Sequence, residues 1–184
     1  MNKPTGARVK SRSIQEIEAY AQKLRDICGL DKTERICPVR LFEVLKYYAA
    51  GFCLEMEVVE DGDLPEMVEA ISYPDKGLMK IKNSVYEQAC EGNPRDRFTF
   101  AHEIGHLLMH KGMQAFAKGP AHTDFREDAE WQADKFAACL LVDSRLITDE
   151  MSVEDIAIRF GVSQQAASTR KKEFNQGVNT PVNR

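Results

Sequence analysis

Between Arg97 and His110 the chain reads Arg-Phe-Thr-Phe-Ala-His-Glu-Ile-Gly-His-Leu-Leu-Met-His, and no other stretch limits the fold so strongly. From Phe98 to Met109 the residues are apolar nearly all round a helical wheel, so this helix must be central and buried. Asn93 reads as its N-cap, Pro94 as its first helical residue and Gly112 as its stop. His102 and His106 sit four residues apart within it. That step turns an α-helix by about 400°, which places both imidazoles on one face a single turn apart, with Glu103 alongside. Two imidazoles and a carboxylate in a buried helix are costly to desolvate without a partner, and a metal ion takes both nitrogens. Gly105 costs about 1 kcal/mol against Ala in a helix interior, which implies the close approach of another element.

A third ligand follows from the next helical pattern, Arg126 to Val142, whose apolar stripe is Ala129, Ala133, Phe136, Ala137 and Leu140. Glu130 lies on that face, 24 residues after His106, and Asp134 lies one turn further on. Zinc prefers nitrogen ligands at roughly 2.0–2.1 Å and leaves one position of a catalytic site to water, so His102, His106 and Glu130 form the expected ligand set. Mn²⁺ is the alternative ion. Asp134 is placed to accept the outer N–H of a ligating histidine and fix its tautomer. A third histidine ten positions after His102 is ruled out, because position 112 is Gly112. His110 shares the His102–His106 face but lies about 12 Å from His102 along the axis, so it supports the site or the fold rather than the metal. Glu103 is the expected proton-transfer group. His122, Tyr86 and Tyr73 are candidate donors to a transition-state oxyanion, and no spacing rule selects among them.

The rest of the chain reads as α+β. Ser13-Ile14-Gln15-Glu16 is a capping box opening a helix that Gly29 closes, and Pro38 opens a second helix ending at Gly51. Residues 52–58 alternate with a period of two, and Pro74-Asp75-Lys76-Gly77 joins extended stretches at Met67 to Tyr73 and Leu78 to Asn83, so a small, mainly antiparallel sheet packs on the metal helix. Leu78 to Asn83 is the candidate edge strand for substrate addition. Seven carboxylates and no Lys or Arg in residues 52–70 read as a solvated face. Ser152, Gly161 and Ser163 bracket two short helices near the end. The expected organisation is a flexible basic arm at 1–12, a metallopeptidase domain at 13–150, a helix-turn-helix-like appendage at 151–174 and a disordered tail at 175–184.

No run approaches the roughly 18–20 apolar residues of a membrane helix, and no apolar segment follows the basic N-terminus, so neither a membrane span nor a secretory signal is expected. Five cysteines, an odd number without C-x-x-C spacing, read as reduced thiols of a cytoplasmic protein. A net charge of −4 gives no global attraction to nucleic acid.

The block Arg97 to His110 resembles the central signature of the ImmA/IrrE family of metallopeptidases, and Glu130-Trp131-Gln132-Ala133-Asp134-Lys135-Phe136-Ala137-Ala138-Cys139-Leu140-Leu141 resembles its second. Asp134 stands where that family usually has Asn, and Val142-Asp143 replaces its common Met-Pro. The resemblance implies a gluzincin-like zinc endopeptidase of bacterial or mobile-element origin, acting on a helix-turn-helix repressor encoded nearby and so relieving repression. The rival reading is a zinc-binding regulator that binds DNA or sequesters a repressor without cutting it. Ile156 to Ser163 with Ala167-Ser168 has helix-turn-helix spacing, but five basic against three acidic side chains in residues 152–184 is a thin surplus for phosphate binding.

Overall fold

A computed structural model describes residues 6–48, 54–112 and 124–177. The chain runs α1 (Ile14–Ile27), α2 (Pro38–Tyr48), β1 (Glu55–Val59), β2 (Ala70–Tyr73), β3 (Leu78–Lys82), α3 (Asn83–Glu91), α4 (Pro94–Met109), α5 (Ala129–Leu141), α6 (Val153–Phe160) and α7 (Gln164–Asn175). The α+β class is as expected.

Local signals set most boundaries. The Ser13 capping box is complete, with Ser13 Oγ accepting from Glu16 N and the Glu16 carboxylate accepting from Ser13 N. Asn93 Oδ1 accepts from Arg95 N at 3.0 Å at the head of α4. Asp128 Oδ1 accepts from Trp131 N at 2.8 Å, so α5 starts three residues later than the periodicity alone suggests. A second complete capping box at Ser152 opens α6, and Gly161, at φ 63°, closes it in the left-handed conformation that favours glycine. Helix α4 stops at Met109, with His110 as its cap, rather than running to Gly112.

The sheet has the order β1-β3-β2. Strands β2 and β3 form the expected hairpin across the Pro74–Lys76 turn, pairing antiparallel from Ala70↔Ile81 to Tyr73↔Leu78. Strand β1 pairs parallel with β3, so the sheet is mixed rather than mainly antiparallel. The turn chemistry at 74–77 dictates the hairpin, whereas β1 docks on the far side of β3 through contacts that no local turn encodes. Leu78–Lys82 is therefore the central strand and not an edge. The edge toward the metal helix is β2, and Ser72 Oγ donates to the main-chain oxygen of Glu103 at 3.1 Å.

Helix α3 has no counterpart in the periodicity reading. It is short, buries Val85 and Ala89, and receives its N-terminal cap from across the chain, where Asp61 Oδ1 accepts from Ser84 N at 3.1 Å. The Ser84 hydroxyl first, and that backbone bond second, hold the Asp61 carboxyl below its ordinary value. The acidic stretch is largely the solvated face expected, with six of its seven carboxylates exposed, while Glu57 pairs with Lys80 at the surface and the half-buried Glu69 receives bonds from Arg95 and Thr99.

One continuous core joins Ile17 of α1, Phe42 of α2, Met79 and Ile81 of β3, Phe100 and Ile104 of α4, Phe136 of α5, and Ile156, Phe160 and Ala167 of the last two helices. Helix α4 packs on α5 at the place Gly105 foretells: a Cβ there would meet Phe136 Cδ1 at 3.0 Å and Ala133 Cα at 3.4 Å. The N-terminal arm departs from the expected flexible segment. From Gly6 to Arg12 it is pinned along the chain leading into α5, with Val9 N donating to Glu127 O at 2.7 Å, Ala129 N to Ala7 O at 3.0 Å, and the Val9 side chain buried. The last seven residues of the tail, like Gly51 to Cys53, lie outside the described residues. Among the described residues no helix is long and apolar enough to cross a membrane, and Cys28, Cys37, Cys90 and Cys139 carry free thiols.

Candidate metal centre

Helices α4 and α5 bring His102, His106 and Glu130 to one point. The two Nε2 atoms are 2.9 Å apart, His102 Nε2 is 3.3 Å from Glu130 Oε2, and His106 Nε2 is 3.5 Å from Glu130 Oε1. Each residue offers one ligand atom, and all lie within 4.8 Å of one another.

The far side of each imidazole is fixed. His102 Nδ1 lies 2.8 Å from Asp134 Oδ1, so it carries the proton and donates it. His106 Nδ1 lies 2.9 Å from His110 Nδ1, and His110 Nε2 is 3.3 Å from Gln132 Oε1. Because Gln132 Oε1 can only accept, His110 protonates at Nε2 and accepts at Nδ1, which leaves His106 to donate from Nδ1. Gln132 is itself held, accepting from Arg12 Nη1 at 3.0 Å and donating to the carbonyls of Lys10 and Arg126. Both ligating histidines are thus set with Nδ1 protonated and the Nε2 lone pair turned toward Glu130.

The electrostatics follow. Burial works against a charged His102, but the bonds to Asp134 and then Glu130 override it and raise its pKa to about 10. The same contacts, to His102 first and His106 second, hold the Glu130 carboxyl well below the usual carboxylate range. Burial, and next the neighbouring His106, lower the His110 pKa to about 4, so His110 stays neutral. In the absence of a cation, a proton must sit between the converging nitrogens and Glu130; a metal ion can take its place.

The donor set fits a tetrahedral cation. Two bonds of about 2.0–2.1 Å at the tetrahedral angle put their donor atoms about 3.3 Å apart, close to the separations found between the three side chains. Glu103, on the same helix, is buried, with its main-chain oxygen tied to Ser72. All five residues singled out from sequence as ligands, base or support, namely His102, Glu103, His106, Glu130 and Asp134, therefore share one region. His122 lies outside the described residues. Sequence reasoning missed Gln132 and Arg12, whose only trace in sequence is a polar residue on the buried stripe of α5.

A helix carrying H-E-x-x-H, packed under a small sheet and completed by a carboxylate from the next helix, defines a metallopeptidase-like protein. The chain belongs to the family described as IrrE N-terminal-like domain (Peptidase_M78), whose model matches residues 55–172. No curated protein matches the chain. A solved structure described as a Mycobacterium tuberculosis transcriptional regulator is similar, with a TM-score of 0.54 at 17% identity, over 88% of this chain and 48% of that one. At that identity the likeness concerns the fold alone, and this chain spans about half the length of that structure.

Proposed function

We propose that the protein is a zinc-dependent, site-specific endopeptidase of the cytoplasm that cleaves a helix-turn-helix transcriptional repressor and so relieves repression. The observation that carries this reading is the convergence of His102, His106 and Glu130 with both outer imidazole nitrogens already bonded, beside a buried Glu103. When bound there, zinc supplies Lewis acidity that polarises the scissile carbonyl and acidifies water. His102 and His106 present neutral Nε2 donors, and Glu130 adds the negative charge. Asp134 and His110 hold the two rings in that tautomer. Glu103 takes the proton of the attacking water and delivers it to the leaving amine nitrogen. The side of β2 away from β3 carries no strand among the described residues and lies against α4, so strand addition is assigned to that edge rather than to β3.

The repressor as substrate comes from family resemblance, and the disposition of α7 is consistent with it. Two of its three cations are engaged within the protein, and only Lys172 is exposed: Arg170 is fully buried on Glu18 and the carbonyl of Val142, and Lys171 donates to the carbonyls of Thr148 and Asp149. Those contacts leave this helix-turn-helix-like pair little charge for phosphate and favour peptidase over DNA reader.

The test is to incubate zinc-quantified protein with the repressor-like product of the adjacent gene, beside Glu103→Gln. A discrete fragment from wild type only, with metal retained in both, supports the reading. Capture of an intact partner by both proteins supports sequestration instead, and salt-sensitive retention on DNA supports the regulator.

A further inference from the structure

Next to the metal centre a solvent-open cavity of about 670 Å³ lies between the first half of α4, the middle of α5 and the start of α7. Its position relative to the ligands is defined by three side chains in its wall. Asp134 is the carboxylate 2.8 Å from His102 Nδ1, Trp131 follows Glu130 directly, and Phe98 lies one turn before His102 on α4. His102, His106 and Glu130 do not themselves line the cavity, and Asp134, bonded to His102, is the side chain that joins the two. At about 5.4 Å per helical turn and about 3.3–3.6 Å per residue of extended peptide, an offset of one turn corresponds to one or two residues of a bound peptide.

The chemistry of the wall selects the guest. Every charged side chain that lines the cavity is already paired within the protein: Asp134 with His102, Arg95 with Glu69, and Lys135 with Glu173. Thr99 is likewise bonded, to Glu69. Ser163 and Thr169 are bonded to the backbone of their own helix, at Ala166 N and Gln165 O, and Gln165 is exposed. The rest of the wall is the apolar surface of Pro94, Phe98, Trp131, Ala138, Val162 and Ala166. A charged guest would compete with those pairs for its partner, whereas an apolar side chain gains burial against the apolar part of the wall without disturbing them. The volume falls within the roughly 300–1,000 Å³ of pockets that hold small ligands, enough for one large side chain with its flanking backbone.

We infer that this cavity is a specificity pocket, receiving an apolar side chain of the substrate one or two residues from the scissile bond; the inference rests on the peptidase reading above. It gives the start of α7 a task in that reading, since Val162 and Ala166 close the pocket opposite α4 and α5. The helix-turn-helix-like unit then contributes to choosing what is cut.

Trp131, the single tryptophan of the chain, lines the pocket and reports on its filling. The full-length zinc-loaded protein is titrated with N-acetyl-leucinamide, N-acetyl-phenylalaninamide and N-acetyl-lysinamide while Trp131 emission is followed. In parallel, a proteome-derived peptide library is digested and the cleaved bonds are read by mass spectrometry. The expected result is a saturable emission change with the leucine and phenylalanine amides, at least about ten-fold weaker with the lysine amide, as expected for burying a charge in an apolar site. Cleaved peptides should carry an apolar residue at one fixed offset. Ala166→Leu, which fills the pocket, and Thr169→Phe, at an exposed position of its rim, should each abolish the emission change and move the preference at that offset to small residues, with zinc content unchanged. No saturable change, equal binding of the lysine amide, or library cleavage without an apolar preference would overturn the pocket. Selective binding of the apolar amides with no peptide cleaved would uphold the apolar site and overturn the peptidase reading instead.

Discussion

Gly6 lies directly against Glu130: a Cβ on Gly6 would come within 2.8 Å of both Glu130 Cγ and Glu130 N. The N-terminal arm therefore buttresses the third ligand, and Gly6 N donating to Asp128 Oδ2 at 2.8 Å ties it to the cap of the same helix. Gly6→Val should displace the Glu130 carboxylate and weaken zinc binding about 10-fold, the lower end of the effect of disturbing groups that support a ligand. Competition against a chromogenic chelator reads this directly; an affinity equal to wild type would mean that the arm does not support Glu130.

Asp134 is the acceptor for His102 Nδ1, and its loss should be graded by chemistry. Asp134→Ala removes the acceptor and should cost about 10- to 100-fold in zinc affinity. Asp134→Asn keeps a carbonyl oxygen facing the same N–H, and its affinity should stay within a few-fold of wild type. Equal losses in the two variants would show that charge, not tautomer control, is what Asp134 contributes.

In metal-free protein the pairing of His102 with Glu130 should give stability a pH window. The His102 pKa is raised from 6.5 to about 10, so its contribution is fully present below 6.5 and is lost as the pH rises toward 10. The Glu130 pKa is lowered from 4.5, so its contribution is present above 4.5 and is lost as the pH falls further. The gap in melting temperature between chelator-stripped wild type and Glu130→Gln should be widest between about pH 4.5 and 6.5. A gap that is the same at pH 5.5 and 9.5 would contradict this.

Away from the metal, Glu18 is the hub of a buried cluster, accepting from Arg170 Nη2 at 2.7 Å, Ser144 Oγ at 2.7 Å and Cys139 Sγ at 2.9 Å. Burial first of all raises the Cys139 pKa well above that of a free thiol, so this cysteine serves as a donor and not a nucleophile. Arg170→Met leaves a carboxylate buried without its cation and should destabilise by about 3–5 kcal/mol. The double variant Glu18→Gln/Arg170→Met should recover part of that loss. Urea unfolding of the three proteins measures both; a double variant no more stable than Arg170→Met would show that the buried charge is not the source of the cost.

The centre of the site was legible because its information is local. A four-residue step in a long apolar helix puts His102 and His106 on one face whatever surrounds it, and Glu130 and Asp134 repeat the same spacing on the next helix. Caps at Ser13, Asn93, Ser152 and Ser163 are likewise set by backbone groups two or three residues away. Tertiary structure alone decided the rest. Asp61 caps α3 from 23 residues away, Arg12 reaches Gln132 across 120, and Gly6 meets the Asp128 cap across 122. β1 took the far side of β3 without a turn to direct it. Periodicity records which face of an element is apolar, but a hydrogen bond between distant segments leaves no period in either, and only the packed chain brings its two ends together.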